Sequence, residues 1–403
     1  MYRIESKENE VRIDLDSCRV FADGFPREEL IVKNPFTPSF GRVPAVMAGR
    51  EIAIDEIIGA LEDAPDDPCL SSIFIGPRGT GKTAMLACLG RRAEEEGWIA
   101  VNVTSSEGML EDVIQQARRR ASHLIDTSSR REVVAVSVAH VGGVQFDGAE
   151  KEKLNWRSRM TELVEKLGEH EVGLMIGVDE VDPDLPEMSQ LVSVYQHFVM
   201  EGRKVALMMA GLPDKVSSLI NGKSVSFLRR ASRRWLGLVP DYEVRAAFVD
   251  TFALSGKTVE SDALDEMVKM TSGYPYMLQL VGYRSWNESK NDGMVRLPAV
   301  QAGGAMAKED FRERVLNATL DELSPKDLKF LAAMLEDDEF SAQRDIAKRL
   351  DPGTSAKTPS VSAYKKRLVE RGLIEDKGRG NLRFALPMLR EYLPEYLDNE
   401  RLA

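Results

Sequence analysis

The residues best suited to chemistry lie in one run, Gly76-Pro77-Arg78-Gly79-Thr80-Gly81-Lys82-Thr83. Its spacing, G-x-x-x-x-G-K-[ST], is that of a phosphate-binding loop, the P-loop or Walker A motif. Glycines let the backbone curl tightly, so that successive N–H groups converge on phosphate oxygens. A helix that starts near Lys82 and continues from Ala84 turns its positive dipole end on the same anion. Lys82 then reaches the β and γ phosphates, and the Thr83 hydroxyl ligates Mg2+. A second run, Gly173-Leu-Met-Ile-Gly-Val-Asp179-Glu180, ends an apolar stretch in two carboxylates. Asp179 is expected to hold Mg2+ through water, and Glu180 to polarise the attacking water as a general base. The expected ligands are a nucleoside triphosphate and Mg2+, and the expected reaction is hydrolysis. The acid pair is expected at the end of a strand neighbouring the one that feeds the loop.

Holding those groups takes a sheet and helices. Apolar runs at residues 70–75, 98–103, 172–178 and 205–210 alternate with long charged helical stretches. Short apolar strands between helices predict an α/β fold, a P-loop core whose parallel sheet is covered on both faces. A helix is expected at 51–61 and a last core strand at 235–239. Strands are expected to stop beyond Pro240, where residues 242–300 carry helical periodicity broken at Ser272-Gly-Tyr-Pro-Tyr276. At ~150 residues per domain, 403 residues suit two or three domains. The expected division is an arm with Pro26, Pro35 and Pro38 over 1–44, an ATPase core over 45–240, a helical lid over 241–303, and a linker helix with a terminal domain over 304–403.

Composition narrows the setting. Hydrophobic residues at 43% and charged residues at 30% are the balance of a soluble globular protein. No apolar run approaches the ~18–20 residues of a membrane span, and the polar amino end has no secretory pattern. Three cysteines (Cys18, Cys69, Cys88) are too few for a disulfide framework, and His123, His140, His170 and His197 lack metal-ligand spacing. A reducing cytoplasm is the expected compartment. The net charge of −11 argues against nucleic acid covering the whole surface and leaves room for a local basic patch.

The Walker A run, the Asp179-Glu180 pair and a lid with Gly273-Tyr274-Pro275 together resemble the AAA+ and STAND ATPases. The similarity is nearest to the bacterial and archaeal ATPases related to origin-recognition-like replication initiators, over roughly residues 35–395. That resemblance implies that Ala48-Gly49-Arg50-Glu51 lies near the adenine and that Pro275 packs against it. It also implies an arginine finger reaching a neighbouring subunit's γ-phosphate, and hence a homo-oligomer in the ATP state. Arg229, Arg230, Arg233 and Arg234 are the candidates, with Arg230 favoured. The sequence departs from the pattern at sensor 1, where Ala210-Gly211-Leu212-Pro213 offers no polar side chain, and at sensor 2, for which Arg284 is not a clear match. Met277, Leu280 and Val281 are expected to be core residues of the lid helix.

Residues 324–393 predict a winged helix. Ser324-Pro325 opens a first helix, 342–350 and 361–371 give two more, and strands 373–376 and 382–386 flank the turn Lys377-Gly-Arg-Gly380. The order resembles the terminal domain of the initiator family, which implies double-stranded DNA as a partner. Residues 355–390 hold nine Lys or Arg against three Asp or Glu, a net +6. In that reading Lys357, Lys365, Lys366, Lys377, Arg379 and Arg383 meet phosphates or base edges. Two alternatives stay open: a STAND-type signalling ATPase whose winged helix contacts protein, and a small-molecule kinase. The acid pair and the long lid suit hydrolysis and switching better than the kinase, and 403 residues leave no room for a long sensor array.

Overall fold

The computed structural model describes residues 33–39, 41–124, 148–351 and 359–402. Most of the arm expected at 1–44 lies outside the described residues, as do Cys18, His140 and Lys357.

Five parallel strands form one sheet: β1 (Ser71–Ile75), β2 (Ile99–Thr104), β3 (Leu174–Asp179), β4 (Val205–Gly211) and β5 (Ser232–Trp235). Their order is β2-β3-β4-β1-β5. Helices α1 (Glu51–Glu62), α2 (Lys82–Glu95), α3 (Met109–Arg120), α4 (Gly148–Glu169), α5 (Pro186–Met200) and α6 (Pro213–Asn221) connect and cover it. The strands read as unbroken apolar runs because both faces are packed. Ile73, Val101, Ile176 and Leu207 face the core shared with α3 to α6. Their neighbours in sequence Phe74, Ala100, Met175 and Met208 face the core shared with α1 and α2. Fully burying one such side chain contributes ~1.5–3 kcal/mol, so the two cores hold the loop ends firmly. This is an α/β P-loop core.

The fifth strand is not where the sequence puts it. Residues 235–239 were the expected strand, but Ser72 to Ile75 pair with Ser232 to Trp235. The reason is the edge position: Arg233 and Trp235 turn outward, so no apolar run advertises the strand. After it, Leu236 N–H still donates to Ile75 O at 2.7 Å.

The lid follows as α7 (Asp241–Ala253), α8 (Ser261–Thr271), α9 (Pro275–Glu288) and α10 (Leu297–Phe311). Strands do not stop at Pro240, because β6 (Thr258–Val259) and β7 (Met294–Val295) pair in parallel within the lid. Two residues are too few to show a period. A wide turn, Arg312–Asn317, carries α10 into α11 (Ala318–Asp321). The terminal module comprises α12 (Pro325–Met334), β8 (Ser341–Ala342), α13 (Gln343–Leu350), α14 (Pro359–Glu370), β9 (Ile374–Asp376), β10 (Asn381–Phe384) and α15 (Leu389–Leu402). Its strands form an antiparallel sheet in the order β8-β10-β9. Ser324 Oγ accepts from Asp327 N–H at 3.2 Å and caps α12. Phe248 and Phe311 of the lid share one core with Phe330, Leu368 and Leu393 of the module.

Candidate functional site

β1 delivers the chain to Gly76, and α2 begins at Lys82. Gly76 N–H donates to Gly211 O on β4 at 3.4 Å, and a Cβ on Gly76 would collide with Leu236 O. Gly79 and Gly81 sit at φ +75° and +88°, where side chains are strained, and Gly79 also has Tyr274 directly against it. Thr80, 2% exposed, donates from Oγ1 to Pro77 O at 2.8 Å. Lys82 Nζ donates to Gly76 O at 2.9 Å and Pro77 O at 2.7 Å, so the ammonium lies inside the loop. Burial pulls the Lys82 pKa down to about 8, against the opposing pull of Asp179 and Glu180.

Asp179 ends β3, and β4 separates β3 from β1. The acid therefore comes from the next strand but one, not from a neighbour of the loop strand. The first turn of α2 spans the gap: Thr83 Oγ1 donates to Asp179 Oδ2 at 2.5 Å. Asp179 Oδ1 accepts from Glu180 N–H at 2.9 Å. Glu180 has φ 52°, a left-handed conformation that costs a non-glycine residue ~1 kcal/mol or more. A hydroxyl and a carboxylate side by side are hard oxygen donors, the set that fits Mg2+ completed by phosphate and water.

Beside the loop lies a cavity of about 40 Å³ lined by Ala48, Arg50, Ala84, Pro275, Leu278 and Gln279 among others. Arg50 and Pro275, singled out in the sequence, are thus brought to one pocket next to Gly81. Arg50 Nη2 donates to Gly237 O at 2.6 Å, and burial lowers its pKa while Glu243 opposes. A larger cavity of about 230 Å³ opens at the starts of β3 and β4, between Leu167 and Lys204. It contains no motif residue and lies at the strand ends opposite the loop.

Other expected participants are placed elsewhere. Arg229, Arg230 and Arg233 are exposed and have no side-chain partner among the described residues. Arg234 is tied to Glu56 at 2.6 Å. Arg284 makes a two-pronged bond to Asp310 at 2.7 and 2.8 Å and serves the lid. At the end of β4, where the resemblance implies a sensor-1 side chain, a Cβ on Gly211 would strike Val181, so packing leaves no room for a polar side chain. Met277, Leu280 and Val281 are core residues.

Sequence reasoning missed the residues that reach the loop from outside it. The Tyr274 hydroxyl donates to Arg78 O. Arg78 Nη1 meets Glu322 Oε1 at 2.8 Å, and Arg371 Nη1 donates to Glu322 O at 3.1 Å. Gly372, at φ +72°, lies so close to Pro77 that a Cβ would collide with it. Tyr274 was visible in Gly-Tyr-Pro; nothing local marks Glu322 or Gly372. In the module, Lys365 pairs with Asp376, Lys377 and Arg383 pair with Glu375, and Lys366 faces Glu370 at 3.6 Å.

The chain is similar in fold to the ORC2 protein of Aeropyrum pernix in its ADPNP-ADP complexes, with TM-score 0.59 and 13% identity over 91% of this chain and 98% of that one. The Walker-type ATPase of Pyrococcus abyssi gives TM-score 0.60 and 15% identity over 86% of this chain and 96% of that one. Residues 313–393 match a family described as a domain of unknown function, DUF8462. No curated protein matches the sequence.

Proposed function

We propose that this chain binds ATP with Mg2+ at the loop, hydrolyses it, and works as an AAA+-like switch whose terminal module reports the nucleotide state. The observation that carries this reading is the Thr83–Asp179 contact at 2.5 Å with Lys82 inside the loop. Lys82 and the loop N–H groups bind the β and γ phosphates, and Thr83 and Asp179 hold Mg2+, which supplies charge neutralisation when bound. Glu180 takes the proton of the attacking water. Arg230 is the favoured arginine for reaching a second subunit, which makes a homo-oligomer the expected ATP state. Among the described residues no helix is long and apolar enough to cross a membrane. The free thiols Cys69 and Cys88 suit a reducing compartment such as the cytoplasm.

The switch reading is supported by Gly372 of the terminal module packing on Pro77, and by Glu322, held by Arg371 of the module, pairing with Arg78. Its target in our reading is double-stranded DNA, approached by the exposed Arg379 on the hairpin turn and by Lys366, whose side chain is 75% exposed. One observation favours a protein partner of STAND type instead: Lys365, Lys377 and Arg383 already have carboxylate partners. An ATPase assay with and without duplex DNA at two salt concentrations decides. DNA stimulation that fades with salt and is lost in Lys366→Ala/Arg379→Ala supports DNA. No binding of DNA by the parent at low salt makes the module a protein-contact domain. A parent without ATPase activity under any condition sinks the hydrolase reading.

A further inference from the structure

The pocket beside the loop has mainly apolar walls, with Pro44, Val46, Met47, Ala84 and Leu278 among them. Gln279 is a buried polar exception, 7% exposed on α9. Its Oε1 accepts the Thr37 N–H at 3.0 Å. A backbone N–H can be met only by the amide's oxygen, so this bond fixes which way the group is turned. Gln279 lines the cavity, and its Nε2 takes no part in the Thr37 bond and has no acceptor among the described residues.

The amide is not free to turn over. Asn34 Oδ1 accepts Phe36 N–H at 3.0 Å, and Asn34 Nδ2 donates to Tyr283 O on α9 at 2.9 Å. Phe36 packs so closely on Gly282 that a Cβ there would collide with its ring. The strap of residues 34–37 is thereby locked along α9, and rotating Gln279 would leave Thr37 N–H unpaired. Thr37 Oγ1 is itself buried without a partner among the described residues. The one cation lining the pocket, Arg50, is a donor only, and no carboxylate lines it among the described residues.

Building on the proposed triphosphate site, we infer that Gln279 Nε2 reads the nucleobase and selects adenine, whose N1 accepts a hydrogen bond, over guanine, whose N1 carries a proton. Guanine in the same pose sets donor against donor, and a site built for one hydrogen-bond polarity discriminates strongly against the other. The parent is expected to prefer ATP to GTP by about 10- to 100-fold, the order set by leaving a buried donor unsatisfied.

Gln279→Glu tests this in the full chain, because it keeps the size and the oxygen that Thr37 binds while turning the donor into an acceptor. Binding of Mg-ATP, Mg-GTP and inorganic tripolyphosphate is measured by calorimetry. The parent should favour ATP over GTP, and the variant should lower that ratio at least tenfold. Expressing each affinity relative to tripolyphosphate removes any general effect of the added charge. Gln279→Leu, which removes the donor without adding charge, should bring the ratio toward one. A Gln279→Glu protein with the parent's ratio overturns the inference. So does a parent that binds tripolyphosphate and both nucleotides without preference, and that outcome leaves the triphosphate site standing. A parent that binds none of the three sinks the site and the inference together.

Discussion

Lys82 carries a charge that the loop has partly desolvated, and a polyphosphate would relieve that penalty. Its pKa in the free protein is about 8, and a bound anion raises it. The protonated form is the one that binds, so affinity should be level below pH 8 and fall as pH rises above it. Calorimetry in buffers of different ionisation enthalpy should show uptake of about half a proton per ATP at pH 8 and almost none at pH 6.5. Uptake equal at both values would place the titrating group elsewhere. Lys82→Ala should abolish ATP binding, because the other cation of the loop, Arg78, is held by Glu322. Glu180→Gln should bind ATP as the parent does while turnover falls ~10²-fold or more. Equal loss of both would make Glu180 a structural residue. The phosphate end was legible in the sequence because backbone geometry dictates glycines at fixed spacing. Gly-Tyr-Pro marked Tyr274, but its contact with Gly79 was not legible, nor was Gln279 as a site residue, since only folding brings these lid residues to Gly79 and Gly81.

The end of β4 shows how an element can forbid a residue. Val181 and Val216 close on Gly211, so Gly211→Asn should not restore a sensor-1 contact. It should lower stability by roughly 1–3 kcal/mol in denaturant unfolding, with no gain in ATPase rate. A stable variant with faster turnover would mean that the strand end relaxes. The three helices and two hairpin strands expected in the terminal module fall within two residues of the starts of α12, α13, α14, β9 and β10, because Ser324-Pro325, Gly372 and the Gly378–Gly380 turn carry their own backbone chemistry, whereas β8 and α15 were not expected. Its charge state was not legible. Arg383 sits opposite Glu375 on the antiparallel strands β10 and β9, and only the register reveals that their charges cancel. The edge strand β5 was misplaced for a related reason: its outward residues carry no hydrophobic period.

A finger that works on a neighbour's nucleotide makes catalysis collective. Specific ATPase activity should rise with protein concentration, and Arg230→Ala should flatten the rise while leaving ATP binding intact. Activity independent of concentration across the assembly range would count against a finger in trans. The order of strands in the sheet carries a consequence for how the molecule is made. β1 is flanked by β4 and β5, and 130 residues separate Ile75 from Val205. At ~5–20 residues per second, an apolar strand emerges from the ribosome and waits roughly 7–26 s before its first neighbour is synthesised. The nascent chain is therefore open to aggregation with both edges of β1 unpaired, and chaperone demand should peak there. Release of the chain before Ser232 would leave one edge of β1 open and remove Leu236, whose carbonyl packs on Gly76. Such a truncated product should bind no nucleotide even though it contains the whole of residues 76–83.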